Sequence, residues 1–226
     1  MFLISGVCLF LLAFFLMCQG FKYVQIYSRD EKNITTKITQ KKQSHIIIWI
    51  FLINIIFVGS IVMQRSSTYP IYIQHYFPYL GIKAVSILVT LNTLLIVLFA
   101  TPLGNVVGKY NKIAMLGLGG FFIGLGMFML SQSATFLLVI FACIIYTAGE
   151  IIFFCMAQLI CYQQGLSTKK GRNLGLFRTA YASSRVIGPA AGGWIYHVFG
   201  GNMIWYLSGV IGLACLISCQ LFKRYD

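Results

Sequence analysis

The chain has 226 residues, of which 59% are hydrophobic and 9% charged, and its mean hydropathy is +0.85. That much apolar surface cannot be hidden in a soluble core, so a water-soluble globular domain is excluded. The net charge of +13 does not mark a nucleic-acid binder, because the basic residues are scattered between apolar runs rather than gathered on one face with aromatic stacking groups.

Seven apolar runs follow one another, approximately 2–20, 46–64, 80–103, 113–131, 135–161, 174–199 and 203–222. Each is of the order of 20 residues, the length a helix needs to cross a bilayer. The first has no basic amino-terminal region and no small-residue cleavage site before Gln19, so it reads as a retained span rather than a signal peptide. The polar stretch 21–45 then reads as a linker; it carries Lys22, Arg29, Lys32, Lys37, Lys41 and Lys42. The second run ends in Gln64-Arg65-Ser66-Ser67-Thr68, with Pro70 close behind and Ile71-Tyr72-Ile73 resuming the apolar character. A helix broken near Pro70, with polar groups just before it, is expected there, as in the wall of a transporter cavity.

Basic residues concentrate in alternate gaps. Lys109 and Lys112 follow the third run, Lys169, Lys170 and Arg172 follow the fifth, and Lys223 and Arg224 follow the seventh, whereas 132–134 and 200–202 hold none. Lysine and arginine are retained on the cytoplasmic side of a membrane. The expected topology is therefore an outer amino terminus, a cytoplasmic linker and a cytoplasmic carboxyl terminus, in a multi-pass protein of a cell membrane of the bacterial inner-membrane kind. Arg65 and Lys83 depart mildly from the pattern, since they flank an outer gap.

The seven cysteines, all in or beside apolar runs, read as small buried residues, and no metal site or cofactor is expected. His45, His75 and His197 stand at span ends without sequence partners, and neither a nucleophile elbow nor paired carboxylates appear, so an enzyme is not expected. Of the four acids, Asp30, Glu31, Glu150 and Asp226, only Glu150 lies inside a run. An ionisable group at bilayer depth is costly unless paired or hydrated, which makes it a functional candidate. Depth counted along adjacent spans gives Arg185 as its expected partner. Helical spacing puts Tyr146, Glu150 and Phe154 on one face with Gln158 a turn beyond, and Arg178, Tyr181 and Arg185 on a face of the next span. The proton or substrate pathway is thus expected to use Glu150, Arg185, Tyr146, Gln158, Gln64 and Arg65.

Three stretches resemble the major facilitator superfamily of secondary transporters. Pro102-Leu103-Gly104-Asn105-Val106-Val107-Gly108-Lys109-Tyr110-Asn111-Lys112 is similar to the family's short cytoplasmic turn: Gly104, Lys109 and Lys112 match, Gly108 replaces the family acid, and Asn111 replaces its second glycine, with a left-handed turn expected at Asn111. Gly188-Pro189-Ala190-Ala191-Gly192-Gly193 is similar to a glycine–proline element of drug antiporters, in which Gly188, Pro189, Gly192 and Gly193 would permit close helix contact and a bend. Gly149-Glu150 followed by Lys170-Gly171-Arg172-Asn173-Leu174-Gly175 looks like the link between the tenth and eleventh helices of efflux-type members.

The resemblance implies an all-α integral membrane fold: a six-helix carboxyl-terminal bundle over 46–226, built of two three-helix repeats, preceded by one additional transmembrane helix at 1–20 like the family's sixth and by the linker 21–45. It implies transport of a small solute, organic or cationic, coupled to protons in the manner of an efflux antiporter, and dependence on a missing amino-terminal half. A seven-helix receptor is the alternative. It is opposed by the lack of a D-R-Y or N-P-x-x-Y sequence and by the short inner gap 104–112.

Overall fold

A computed structural model describes residues 45–163 and 170–223. The expected span at 1–20, the linker as far as residue 44, Lys169 and the tail from 224 lie outside the described residues. The described elements are helices: α1 His45–Met63, a 3₁₀ turn Gln64–Ser66, α2 Thr68–Tyr76, α3 Ile82–Val107, α4 Lys112–Leu130, α5 Phe136–Gln163, α6 Lys170–Phe199 and α7 Gly201–Lys223. Four of them, α3, α4, α5 and α7, are long and apolar enough to span a membrane, and the bent pair Phe51–Ser66 and Thr68–Tyr76 makes a fifth when taken as one span. The chain is a multi-pass membrane protein with an all-α fold.

The expected apolar run 174–199 is corrected in one respect. Helix α6 has 30 residues, ample for a crossing, yet it is not among the helices apolar enough by composition. Lys170, Arg172, Arg178 and Arg185 with the Ser, Thr, Asn and Gly residues dilute its hydropathy. A long polar helix among apolar ones turns part of its surface away from lipid.

Helix α4 is the hub, packed along α5 on one side and α7 on the other. Its glycines make both contacts close. A Cβ at Gly119 would stand 2.6 Å from the Phe153 backbone nitrogen, and one at Gly126 would stand 2.6 Å from Tyr146 Cβ. On the other side Gly124 meets Gly212 of α7, where an added Cβ would lie 2.7 Å from the facing Cα. Lipid offers no hydrophobic drive for helix pairing, so close backbone approach and dispersion supply the association. Around this core α1 lies against α6, and α3 against α5. Exchanging the two triplets, α1–α3–α4 for α5–α6–α7, maps the first of these contacts onto the second and returns α4–α7 to itself. The match is incomplete, because α1 touches α7 far less than α5 touches α4.

The turn between α3 and α4 differs from expectation. Asn111 has φ −61° and ψ 117°, and its side chain accepts the Ala114 N–H at 3.0 Å, so it is the amino-terminal cap of α4. Among the described residues only Gly81 and Gly200 have positive φ. A cap needs extended backbone, which excludes the left-handed conformation expected at Asn111. The preceding helix ends through Gly108, whose N–H donates to Gly104 O at 2.9 Å. Gly200 alone joins α6 to α7, and its φ of 86° suits glycine.

Candidate polar site at the break in the first described span

The chain bends by 49° between α1 and α2. The break lies at Ser67, with φ −121° and ψ −84°, three residues ahead of Pro70. Pro70 falls in the first turn of α2, where its missing donor has no helical partner to lose. Freed backbone groups at such a depth need new partners. The Ser67 N–H donates to Gln64 O at 3.1 Å, and Ser66 Oγ donates to the Met63 carbonyl at 3.3 Å.

Gln64 is buried beside the break and ties it to α6. Its Nε2 donates to the Gly188 carbonyl at 2.7 Å and to the Ser60 carbonyl at 3.3 Å, while its Oε1 accepts from Thr68 Oγ1 at 2.8 Å. Gly188 packs on the Ser60 backbone, and Gly192 gives the room that the Gln64 amide occupies. Gly193, by contrast, has nothing within 4 Å of an added Cβ, so two glycines of the motif face α1 and the third does not.

Arg65 leaves the same break on another side and points at α3 and α5. Its Nη1 lies 3.3 Å from Glu150 Oε2 and 3.4 Å from the Tyr146 hydroxyl, and it donates to Asn92 Oδ1. Asn92 Nδ2 in turn donates to Glu150 Oε2 at 3.2 Å and to Thr147 Oγ1 at 2.9 Å. Thr147 Oγ1 donates to the Cys143 carbonyl at 2.6 Å. Three elements therefore meet on one carboxylate. The Glu150 side chain is 11% exposed and that of Arg65 is 28% exposed. Both the burial and the number of donors favour an ion pair whose charges are each hydrogen-bonded.

The expected partner of Glu150 is thereby corrected: Arg65 pairs with it, and Arg185 does not. Arg185 is exposed on α6, its guanidinium carbon 5.4 Å from the centre of the Tyr181 ring. Tyr181 of α6 meets Phe154 edge-on at 4.8 Å, one turn from Glu150. Depth counting compared only adjacent spans, and a side chain released by a helix break reaches farther than one fixed on a regular helix. Gln158 is exposed and makes none of the hydrogen bonds of the cluster. Lys109 is exposed beyond the end of α3, and Gly104 faces Cys155, whose Sγ would lie 3.6 Å from an added Cβ, both outside the hydrogen bonds of the cluster; Lys112 opens α4. Asn92 and Thr147 were missed. Asn92 is the one amide between Lys83 and Asn105, a signal that could have singled it out.

Next to the ion pair stands an aromatic wall. Tyr69 and Tyr72 of α2 meet the Trp205 indole of α7 at 6.1 and 5.2 Å between ring centres. The Tyr72 hydroxyl donates to Asn202 Oδ1 at 2.7 Å. Among the described residues no group of three or more histidine, cysteine or acidic side chains is placed to hold a metal ion.

The chain matches the Major Facilitator Superfamily model over residues 1–189. It is 27% identical over 155 residues to the uncharacterized MFS-type transporter YqjV of Bacillus subtilis (strain 168), a stretch covering 68% of this chain and 38% of that protein. It is 26% identical over 172 residues to the uncharacterized MFS-type transporter MJ1560 of Methanocaldococcus jannaschii, covering 76% of this chain and 43% of that one. The matched stretch is thus about two fifths of the length of these curated relatives. No solved structure matches the chain. With more than half its length matched by the family model, this chain belongs to the major facilitator superfamily.

Proposed function

We propose that the chain is the carboxyl-terminal half of a proton-coupled secondary transporter of a small solute, with Arg65 and Glu150 at the coupling site. The ion pair at a broken span carries the reading. A charged pair at bilayer depth is expensive to maintain, and broken helices at that depth line transport cavities. Glu150 is the group that exchanges a proton, because the arginine charge is permanent. The groups that face it are Arg65 from the break, Asn92 from α3, Tyr146 and Cys143 from α5, and Tyr181 with Arg185 behind it from α6. Protonation would release Arg65 from its partner and so loosen the side-chain tie between the break and α5.

The order of the motifs supports assignment to the second half, with the turn at Lys109 and the region of Arg172 on the cytoplasmic side and the amino terminus outside. The rest of the transporter, an amino-terminal half, would complete the cavity, since alternating access moves one half against the other. Efflux by antiport fits the Gly188–Gly193 element. A signalling receptor is disfavoured by the short turn between Val107 and Lys112, which leaves little surface for a partner.

The test is proteoliposome flux with an imposed proton gradient. The chain alone should not transport, and the chain supplied with an amino-terminal half of a relative should collapse the gradient when solute is present. Glu150→Gln should abolish the pH dependence while leaving membrane insertion intact. Flux from the pure polypeptide alone would overturn the half-transporter reading, and an unaltered pH profile in Glu150→Gln would remove the coupling role.

A further inference from the structure

We infer that the solute is an anion, a carboxylate or similar planar oxyanion, held between Arg65 and Arg185 beside the Tyr181 ring. This deepens the transporter reading and rests on it. Charge supplies the first argument. Arg65, Glu150 and Arg185 are the ionisable residues deep in the described spans with formal charges, and they number two cations against one acid. The acid is already committed: Arg65–Glu150 is the salt bridge among the described residues. One positive charge is left over at membrane depth.

Arg185 carries it. The residue lies fifteen positions from Lys170 and fourteen from Phe199 in the 30-residue α6, so it is about 20 Å from either end. It is exposed, and its contact is the face of Tyr181. A guanidinium does not stand against hydrocarbon at that depth without a counter-charge or water. It therefore faces a polar cavity. A lipid headgroup does not reach it, because headgroups lie beyond the hydrocarbon core.

Arg65 supplies the geometry. All three of its hydrogen bonds are made by Nη1, towards Asn92, Tyr146 and Glu150. Its Nε and Nη2 have no partner among the described residues. Those two donors form the edge of a guanidinium that grips a carboxylate with two parallel hydrogen bonds. More than a quarter of the side chain is open. Tyr181 carries Arg185 over its ring, meets Phe154 one turn from Glu150, and lies against Gly59 of the helix that leads into Arg65, so both guanidinium groups border one region. Glu150 then acts as an internal competitor for the anion. A cationic solute, the class that the antiporter-like motif implied, would meet an excess of positive charge here.

The experiment uses the purified full chain in nanodiscs of phosphatidylcholine, with benzoate and benzylammonium as probes of matched size and opposite charge, followed by saturation-transfer NMR. Benzoate should bind saturably and benzylammonium should not. Arg185→Gln should weaken benzoate at least tenfold, Arg185→Lys should retain most of the affinity, and Glu150→Gln should tighten it. Arg185 is exposed, so its variants test binding without testing folding. The inference is overturned if benzylammonium binds as well as benzoate, if neither binds saturably, or if Arg185→Gln leaves benzoate unaffected. Loss of benzoate binding on adding phosphatidylglycerol would assign the site to a headgroup and overturn it too. Proton-coupled flux of a cation would sink the anion assignment while leaving the transporter reading intact; benzoate binding without any coupled flux would do the reverse.

Discussion

Arg65 and Glu150, 85 residues apart in the chain, stand 3.3 Å apart in the fold because a helix break turns one toward the regular helix that carries the other. The pair is asymmetric. Glu150 is nearly closed off, whereas Arg65 keeps an open edge. Arg65→Gln should therefore be the more damaging change, since it strands a carboxylate among Asn92, Thr147 and Tyr146; a loss of about 2–4 kcal/mol is expected from the cost of an uncompensated buried charge. Glu150→Gln leaves a guanidinium that water can reach, and should cost about 1 kcal/mol. The double variant should recover part of the Arg65→Gln loss. A double-mutant cycle on unfolding in detergent micelles measures the coupling, and strictly additive effects would show that the two charges do not interact.

The Gly188–Gly193 element separates a packing role from a flexible one at single-residue resolution. A methyl group at Gly192 overlaps the Gln64 amide, which four hydrogen bonds hold in place. Gly192→Ala should expel that amide and leave the buried Gly188 carbonyl without its extra donor, costing about 1–3 kcal/mol. Gly193→Ala meets nothing within 4 Å and should be neutral, or stabilising by up to about 1 kcal/mol through helix propensity. Thermal unfolding of the two variants side by side decides it: equal effects would mean that the α1–α6 contact is not set by Gln64.

Four spans and the bent one were legible because a 20-residue apolar run is a local signal that needs no partner to read. The break was legible as polar residues followed by a proline, but its position was not: Ser67 carries it, and Pro70 rests unstrained in the next helix. The sequence places Asn111 in the turn but does not fix its conformation, since a residue that tolerates the left-handed region is equally suited to cap a helix. In the site, Glu150 announces itself as a lone acid in an apolar run. Its partner does not, because pairing depends on which helices neighbour one another, and α5 shares Glu150 with α3 and the break rather than with the adjacent α6 alone. Asn92 and Thr147 are neutral and small enough to pass as ordinary polar residues of a span.

Helix α4 predicts a different failure. Gly124 and Gly212 approach backbone to backbone, so nothing soft can move aside for a side chain. Gly124→Ala should push α7 away from α4 and cost about 1–3 kcal/mol by overpacking. Gly171→Ala, which meets nothing within 4 Å on α6, is the matched control and should be silent. Proteolytic susceptibility in micelles should rise for the first variant and stay level for the second. Equal resistance in both would mean that α7 is not held by this glycine contact.

At the opposite end of the bundle from the Lys109 turn, Tyr72 joins α2 to two other helices through one hydroxyl, donating to Asn202 Oδ1 at 2.7 Å and lying 3.2 Å from the Leu130 carbonyl. Tyr76 reaches the same Asn202 oxygen at 3.3 Å, and its ring stacks on Tyr72 at 4.3 Å. The arrangement pins the short α2 where the break would otherwise leave it loosely held, given that α2 has only 9 residues. Interhelical hydrogen bonds in membranes are modest, so Tyr72→Phe should cost about 0.5–1.5 kcal/mol. Tyr76→Phe should cost less, because the longer bond is at an exposed position. Asn202→Ala removes both acceptor contacts and should match or exceed Tyr72→Phe, with the Tyr72→Phe/Asn202→Ala double variant no worse than Asn202→Ala beyond the loss of the Leu130 contact. Unfolding midpoints in a single detergent give the ranking, and a Tyr76→Phe loss larger than that of Tyr72→Phe would reverse the assignment of which tyrosine holds α2.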